Sequence, residues 1–258
     1  MNMKFKLLAL VATTALAGCG AAGGGVAGVN VDGMMAAGGT ALKAASLSDT
    51  DVKTMSDDAC AASDKQNKIA APKSKYDVRL NKVVQGFSPS LNGAQTNYRV
   101  YMTKDVNAWA MSNGCIRVYS GLMDMMNDSE LRGVIGHEMG HVALGHTKKA
   151  MQTAYAVTAA RTAAGATGNA VVTNLSASQL GELTEKIINA QFSQVQESAA
   201  DDYSFDQLTK MNMDRKGLVT AFQKLAKLDG GAGASMLSSH PSSTERAQHI
   251  QQRIDQNK

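Results

Sequence analysis

A chain of 258 residues with 44% hydrophobic and 19% charged residues is long enough to bury one sizeable core and has an ordinary globular composition. Its 26 basic residues against 22 acidic ones leave a formal charge of +4, too small an excess to mark a nucleic-acid partner. Residues 1–18 hold two of those lysines and no acid, so the remainder carries +2.

The chain opens like an export signal. Lys4 and Lys6 precede a run of apolar and small residues from Leu7 to Ala17, too short to span a bilayer. Leu16-Ala17-Gly18-Cys19 resembles a bacterial lipobox, which implies cleavage before Cys19 and acylation of that cysteine; an ordinary signal followed by chance by a cysteine is the alternative. Gly20, rather than Asp, after the cysteine points the anchor to the periplasmic side of the outer membrane by the usual sorting pattern of such lipoproteins. Cys60 and Cys115 are then left as a pair in an oxidising compartment, where a disulfide is expected and two buried thiols are the alternative. Residues 19–45, rich in Gly and Ala, read as a flexible tether, so the folded domain is placed at 46–258.

Ser46 or Ser48 can cap a first helix through Val52, Met55, Ala59 and Ala62, with Asp49 and Asp51 in its first turn. After Pro72, the spacing of Tyr76, Leu80, Val83 and Val84 predicts a second helix closed by Gly86. The period then switches to two. Tyr98, Val100 and Met102 alternate with polar positions, Asn107 to Met111 forms a short extended run, and Cys115 to Tyr119 returns after Ser112-Asn113-Gly114. These segments predict a small antiparallel sheet. A short helical piece over Gly121–Met126 precedes a helix capped by Asp128 or Ser129 that carries Gly133, Gly136, Gly140 and Gly145. Each helical Gly costs up to ~1 kcal/mol relative to Ala, so close approach of another backbone is expected there.

Residues 150–174 are too polar and short for a membrane span and read as a helix with a loose connection. Leu180, Leu183, Ile187, Ile188, Phe192, Val195 and Ala199 predict one long helix over 180–208. Val219, Phe222, Leu225 and Leu228 predict another, and Pro241 is expected to open a last helix through Ala247, Ile250 and Ile254.

The chemistry centres on His137-Glu138-Met139-Gly140-His141. At about 100° per residue, positions four apart lie one above the other on a helix, so two imidazoles aim at one point. Two such histidines make most of a Zn²⁺ site, and the intervening Glu138 lies within reach of a water to be deprotonated. A catalytic zinc needs a third protein ligand. His146 stands about 140° round from His141 on a continuing helix and reads as an exposed helix-end histidine. Glu197 is the better candidate, with Asp201 one turn on as an acceptor for a histidine N–H, and with small Ser198, Ala199 and Ala200 to let the two helices approach. A solvated acidic face is the alternative, and Glu182 and Glu185 are weaker competitors.

Asn107-Ala108-Trp109-Ala110, the stretch from Gly114 to Gly121-Leu122, HExxH, and Glu197-Ser198-Ala199-Ala200-Asp201 together resemble the metalloprotease family of the CAAX prenyl protease and HtpX. The resemblance spans roughly residues 75–255, and the lipobox and cysteine pair bring it nearest to the small outer-membrane lipoproteins of that family. Trp109 in place of Phe, and Ser112-Asn113-Gly114 in place of Pro-Gly-Gly, are departures that a strand and turn tolerate. The likeness implies an α+β, predominantly helical zincin-type domain holding one Zn²⁺ at His137, His141 and Glu197, with Glu138 as general base. It implies an extended polypeptide substrate paired to the edge strand at Asn107, Ala108, Trp109 and Ala110. Ser239-His240-Pro241 and Arg246 match a late block of the family. There His240 can donate to the oxyanion and Arg246 can anchor Asp201, while purely structural roles for both stay open. His249 reads as a surface position. The function so implied is endopeptidase action on unfolded or misfolded envelope proteins, with envelope proteins as further partners. The competing class is a lipoprotein chaperone that holds clients on the edge strand over a structural or latent zinc.

Overall fold

The computed structural model describes residues 47–165, 176–228, 235–240 and 243–256. The signal segment, Cys19, the tether, the glycines at 230, 231 and 233, and Pro241 lie outside them. In chain order the elements are α1 (Asp49–Gln66), α2 (Lys75–Val83), β1 (Ser90–Leu91), β2 (Ala94–Gln95), β3 (Asn97–Tyr101), β4 (Ala108–Ala110) and β5 (Cys115–Tyr119). They continue with α3 (Ser120–Met125), α4 (Asp128–Ala143), α5 (His146–Gly165), α6 (Ala177–Ile188), α7 (Gln194–Lys210), α8 (Lys216–Ala226), α9 (Ser235–Ser239) and α10 (Ser243–Gln256). The domain is α+β and predominantly helical, as the sequence predicts.

The starts of several helices are written locally. Ser48 caps α1 and Asp51 reaches back to close a capping box, and Asn127 with Glu130 does the same for α4. Asn127, one residue earlier than expected, is the α4 cap. β1 and β2 are joined through Asn92 and Gly93, both at positive φ, as a two-residue hairpin requires.

The three-stranded sheet corrects the expectation of a wholly antiparallel one. Its order is β3-β5-β4, with β4 antiparallel to β5 but β3 parallel to it. Alternation along a strand says which face is buried but carries no information about strand direction. Both faces of this sheet are covered. Val100, Ala108, Ala110, Ile116 and Val118 enter one core with residues of α4, α7, α8 and α10. Tyr101, Trp109, Met111 and Cys115 enter a second core with residues of α1, α5 and α6. Arg117 is buried on this second face, paired through Nε and Nη2 with the two oxygens of Asp64 at 2.8 and 2.9 Å. Beside it Cys60 and Cys115 are joined by a disulfide, Cα–Cα 6.5 Å, that ties α1 to β5.

A second correction concerns the long helix expected over 180–208. It is two helices, α6 and α7, broken at Asn189–Ser193, where Ser193 caps α7 and Gln196 completes a capping box. Val195 therefore leaves the apolar stripe and is 80% exposed.

The glycines of α4 are explained by α7 and α8. A Cβ on Gly140 would stand 2.9 Å from the Ala200 carbonyl oxygen and 3.0 Å from its Cα; one on Gly136 would stand 2.5 Å from Ser204 Oγ, and one on Gly133 3.0 Å from the Cα of Leu218. Gly145 lies past the helix end instead, at φ +74°, and turns the chain out of α4.

Bulk at position 140 must push two backbones apart, so Gly140→Val is expected to cost about 1–3 kcal/mol or more by overpacking. Gly181, inside α6 with nothing near its Cβ position, should behave oppositely, Gly181→Ala adding about 0.5–1 kcal/mol. Urea unfolding of both variants checks the contrast; equal shifts of one sign would contradict it.

Candidate active site and metal centre

α4 and α7 cross where their backbones touch, and this crossing aims His137, His141 and Glu197 at one another. His137 and His141 are fully buried and Glu197 is 1% exposed. Their Nε2 atoms stand 3.0 Å apart, His141 Nε2 lies 3.2 Å from Glu197 Oε1, and His137 Nε2 lies 3.6 Å from Glu197 Oε2. His240, from the end of α9, reaches into the same group, with Nδ1 2.9 Å from Glu197 Oε1 and 3.3 Å from His137 Nε2. Donor atoms of His137, His141, Glu197 and His240 all lie within 4.8 Å of one another.

Second contacts orient these groups. His137 Nδ1–H donates to Asp201 Oδ1 at 2.7 Å, which leaves the Nε2 lone pair facing the cluster. Arg246 binds the two carboxylates of α7 that face the cluster: Nε and Nη2 contact Asp201 at 2.8 and 2.7 Å, and Nη1 contacts Glu197 Oε2 at 2.7 Å. Its guanidinium lies over the Phe222 ring, 4.1 Å from the centroid. The expected anchoring of Asp201 by Arg246 is thus present in the geometry, and the guanidinium also takes Glu197. His249 pairs with Asp202 on the outer side of α7, away from the cluster.

Electrostatics follow from burial and pairing. Burial alone would raise Glu197, but His137, His141 and His240 hold its carboxyl far below the usual range. Asp201 is likewise lowered by Arg246 and His137 against the upward push of burial. Burial pushes Glu138 up and His141 well down. His240 would be lowered by burial, yet the carboxylates of Glu138 and Glu197 raise it.

The cluster fits a divalent metal. Ligands at ~2.0–2.2 Å round a tetrahedral centre stand roughly 3.3–3.6 Å apart, and the three donor pairs of His137, His141 and Glu197 span 3.0 to 3.6 Å. Glu138, Glu197 and Asp201 are buried there with Arg246, and a buried set of imidazole and carboxylate donors is the chemistry that holds a divalent metal. Glu138 Oε1 is buried without a hydrogen-bond partner, its nearest cationic neighbour being His240 Nε2 at 3.5 Å. A base left unsatisfied beside the donor set is placed for a ligand of that set.

A model of peptidase family M48 matches residues 74–254. The chain belongs to peptidase family M48. Metalloprotease YcaL of Escherichia coli (strain K12) is 51% identical over 251 residues, which cover 96% of this chain and 97% of YcaL. Metalloprotease LoiP of the same organism is 50% identical over 254 residues, 98% of each chain. Mitochondrial metalloendopeptidase OMA1 of Arabidopsis thaliana is 29% identical over 156 residues, covering 57% of this chain and 29% of OMA1. This M48 chain is a metalloendopeptidase, and the buried group of His137, His141, Glu197 and His240 fits the metal site that such an enzyme needs.

Two residues beside the cluster differ from their sequence reading, in which Phe192 belongs to an apolar stripe and His146 is set aside as a ligand. Phe192 lies in the α6–α7 connection and stacks on His141, ring centroids 3.9 Å apart. His146, read there as exposed, is half-buried with Nδ1 3.0 Å from His141 Nδ1. The 140° objection assumed that the helix continues, whereas α4 ends at Ala143 and Gly145 swings the chain round.

Because Asp201 is held below its ordinary value, its contribution to stability is complete above ~4 and is lost as pH falls through the lowered folded value. Asp201→Asn should therefore cost about 1–3 kcal/mol at pH 7, with Arg246 left only Glu197 of its two carboxylate partners, and its gap to wild type should narrow in acid. Urea titrations at several pH values measure this; a gap independent of pH would contradict it.

Proposed function

We propose that the chain is a zinc-dependent endopeptidase of the cell envelope, tethered by an acylated Cys19 at the periplasmic face of the outer membrane, that cuts unfolded or misfolded envelope proteins. The observation carrying the catalytic part is the buried Glu138, whose Oε1 has no hydrogen-bond partner, beside the donor set of His137, His141 and Glu197. Support for the location comes from the lipobox-like Leu16-Ala17-Gly18-Cys19. No helix among the described residues is long and apolar enough to cross a membrane.

His137, His141 and Glu197 would hold the zinc, one per chain. Bound there, the ion supplies Lewis acidity, polarising the scissile carbonyl and making water more acidic. Glu138 takes the proton of the attacking water and returns it to the amide nitrogen as the C–N bond breaks, leaving a carboxylate and an amine. Its raised pKa suits the second half of that exchange. His240, kept protonatable by its two carboxylate neighbours, is the N–H donor for the carbonyl oxygen as it gains charge, and it must give way between Glu138 and Glu197 as the peptide enters.

The substrate lies along β4. Asn107 O accepts from Tyr119 N and Met111 N donates to Cys115 O, so the odd-numbered positions bond to β5 and the backbone of Ala108 and Ala110 faces the opposite way. Asn107 Oδ1 takes the Ala108 N–H at 2.9 Å. No other strand among the described residues pairs with that edge. Trp109 has a different part from its neighbours: its ring packs edge-on to Tyr101 in the second core, 6.0 Å between centroids, and anchors the strand from behind. Recognition through backbone groups gives low sequence selectivity, suited to unfolded clients.

Casein cleavage by residues 20–258 tests this. Glu138→Gln should lower kcat by at least about 10²-fold with binding of a casein fragment unchanged. A chelator should abolish the wild-type rate and zinc should restore it. Undiminished cleavage by Glu138→Gln, or none by zinc-loaded wild type, would contradict the reading.

A further inference from the structure

His141 has two ring nitrogens, and only one is accounted for by the metal centre. Nε2 faces His137 and Glu197. Nδ1 points the other way, inside a fully buried ring, and meets Nδ1 of His146 at 3.0 Å. A neutral imidazole that offers its Nε2 lone pair to a metal carries its proton on Nδ1, and that N–H needs an acceptor. For His137 the acceptor is Asp201. For His141 the structure supplies His146.

We propose that His146 is the positioning residue of His141: its Nδ1 lone pair accepts the His141 Nδ1–H, fixing the tautomer and the ring plane that present Nε2 to the metal. The proposal rests on the reading of His141 as a ligand.

The surroundings hold both rings for this contact. Phe192 stacks on His141, 3.9 Å between centroids with the planes 26° apart, so the imidazole is gripped by its face as well as at its edge. The backbone N–H of Phe192 bonds Ser239 O, which ties that grip to the segment carrying His240. His146 is set by the turn that precedes it. Leu144 and Gly145 end α4 with bonds to Gly140 O and Val142 O, and the left-handed Gly145 reverses the chain so that the first residue of α5 faces back onto α4. Thr147 is buried, and its Oγ1 lies 3.0 Å from Ser112 Oγ in the β4–β5 turn. The start of α5 is thereby fixed to the hairpin whose outer strand is the proposed substrate edge. The sheet, the α5 start and the second histidine of the motif form one connected chain of contacts.

An asparagine places its side-chain oxygen near the position of a histidine Nδ1, and a glutamine places it near Nε2. Acceptor function therefore predicts an order that bulk or polarity alone does not. Release of zinc to a chromophoric chelator is followed for the zinc-loaded full mature chain as wild type, His146→Asn, His146→Gln and His146→Leu, with the melting of each metal-free form as a check on folding. His146→Leu and His146→Gln should release zinc about 10–100-fold faster, the usual effect of removing an outer partner of a ligand, while His146→Asn stays within about threefold of wild type. Equal release by all four overturns the proposal and leaves the metal centre standing. Release by His146→Asn as fast as by His146→Gln also overturns it, even if His146→Leu does not fold. A wild type that retains no zinc overturns the metal-centre reading and this proposal with it.

Discussion

The contact between α4 and α7 governs this molecule. Gly140 lets the Ala200 backbone come so close that no side chain fits between them, and only at that separation do Glu197 on α7 and His137 and His141 on α4 share one point. The approach brings together charges that are costly to bury. Removing an ion from water costs several kcal/mol even after relaxation, and Glu138, Glu197, Asp201 and Arg246 are all buried there. Arg246 offsets part of that cost by binding Glu197 and Asp201 at once. A dication held by His137, His141 and Glu197 would offset more of it, so on the proposed reading metal binding and the helix crossing support each other.

The sheet extends this constraint to substrate binding. β4 is held from both sides, Ala108 and Ala110 facing the core that contains α4, and Trp109 facing the core built with α1, α5 and α6. The strand is therefore positioned by the helix that carries the ligands and braced by a helical layer fixed through the Arg117–Asp64 pair and the Cys60–Cys115 disulfide. On the proposed reading, an edge braced in this way would hold a peptide backbone for Glu138 without gripping particular side chains.

Local signals made much of this legible. The i, i+4 spacing of His137 and His141 and of Glu197 and Asp201 places each pair on one helix face, and the α4 glycines announce a close neighbour. The break before α7 was written too, in Ser193 followed three residues later by Gln196, but the apolar stripe through Phe192 and Val195 masked it. Other features needed the fold. The parallel pairing of β3 with β5 depends on how the chain is routed between them, which alternation does not encode. The place of His146 depends on Gly145 adopting φ +74°, a turn that breaks the helical phase from which the residue was judged. Arg246 reaching Glu197 as well as Asp201 is a meeting of α10 with α7 across a long separation in sequence.

The most direct test of the account is the metal content of the purified chain, measured by elemental analysis for wild type and Glu197→Ala after dialysis against buffered zinc. The account predicts one zinc per chain in wild type and loss of it in Glu197→Ala, because the glutamate is both a ligand and the counter-charge of the cluster. One zinc retained by Glu197→Ala, or none held by wild type, would contradict it.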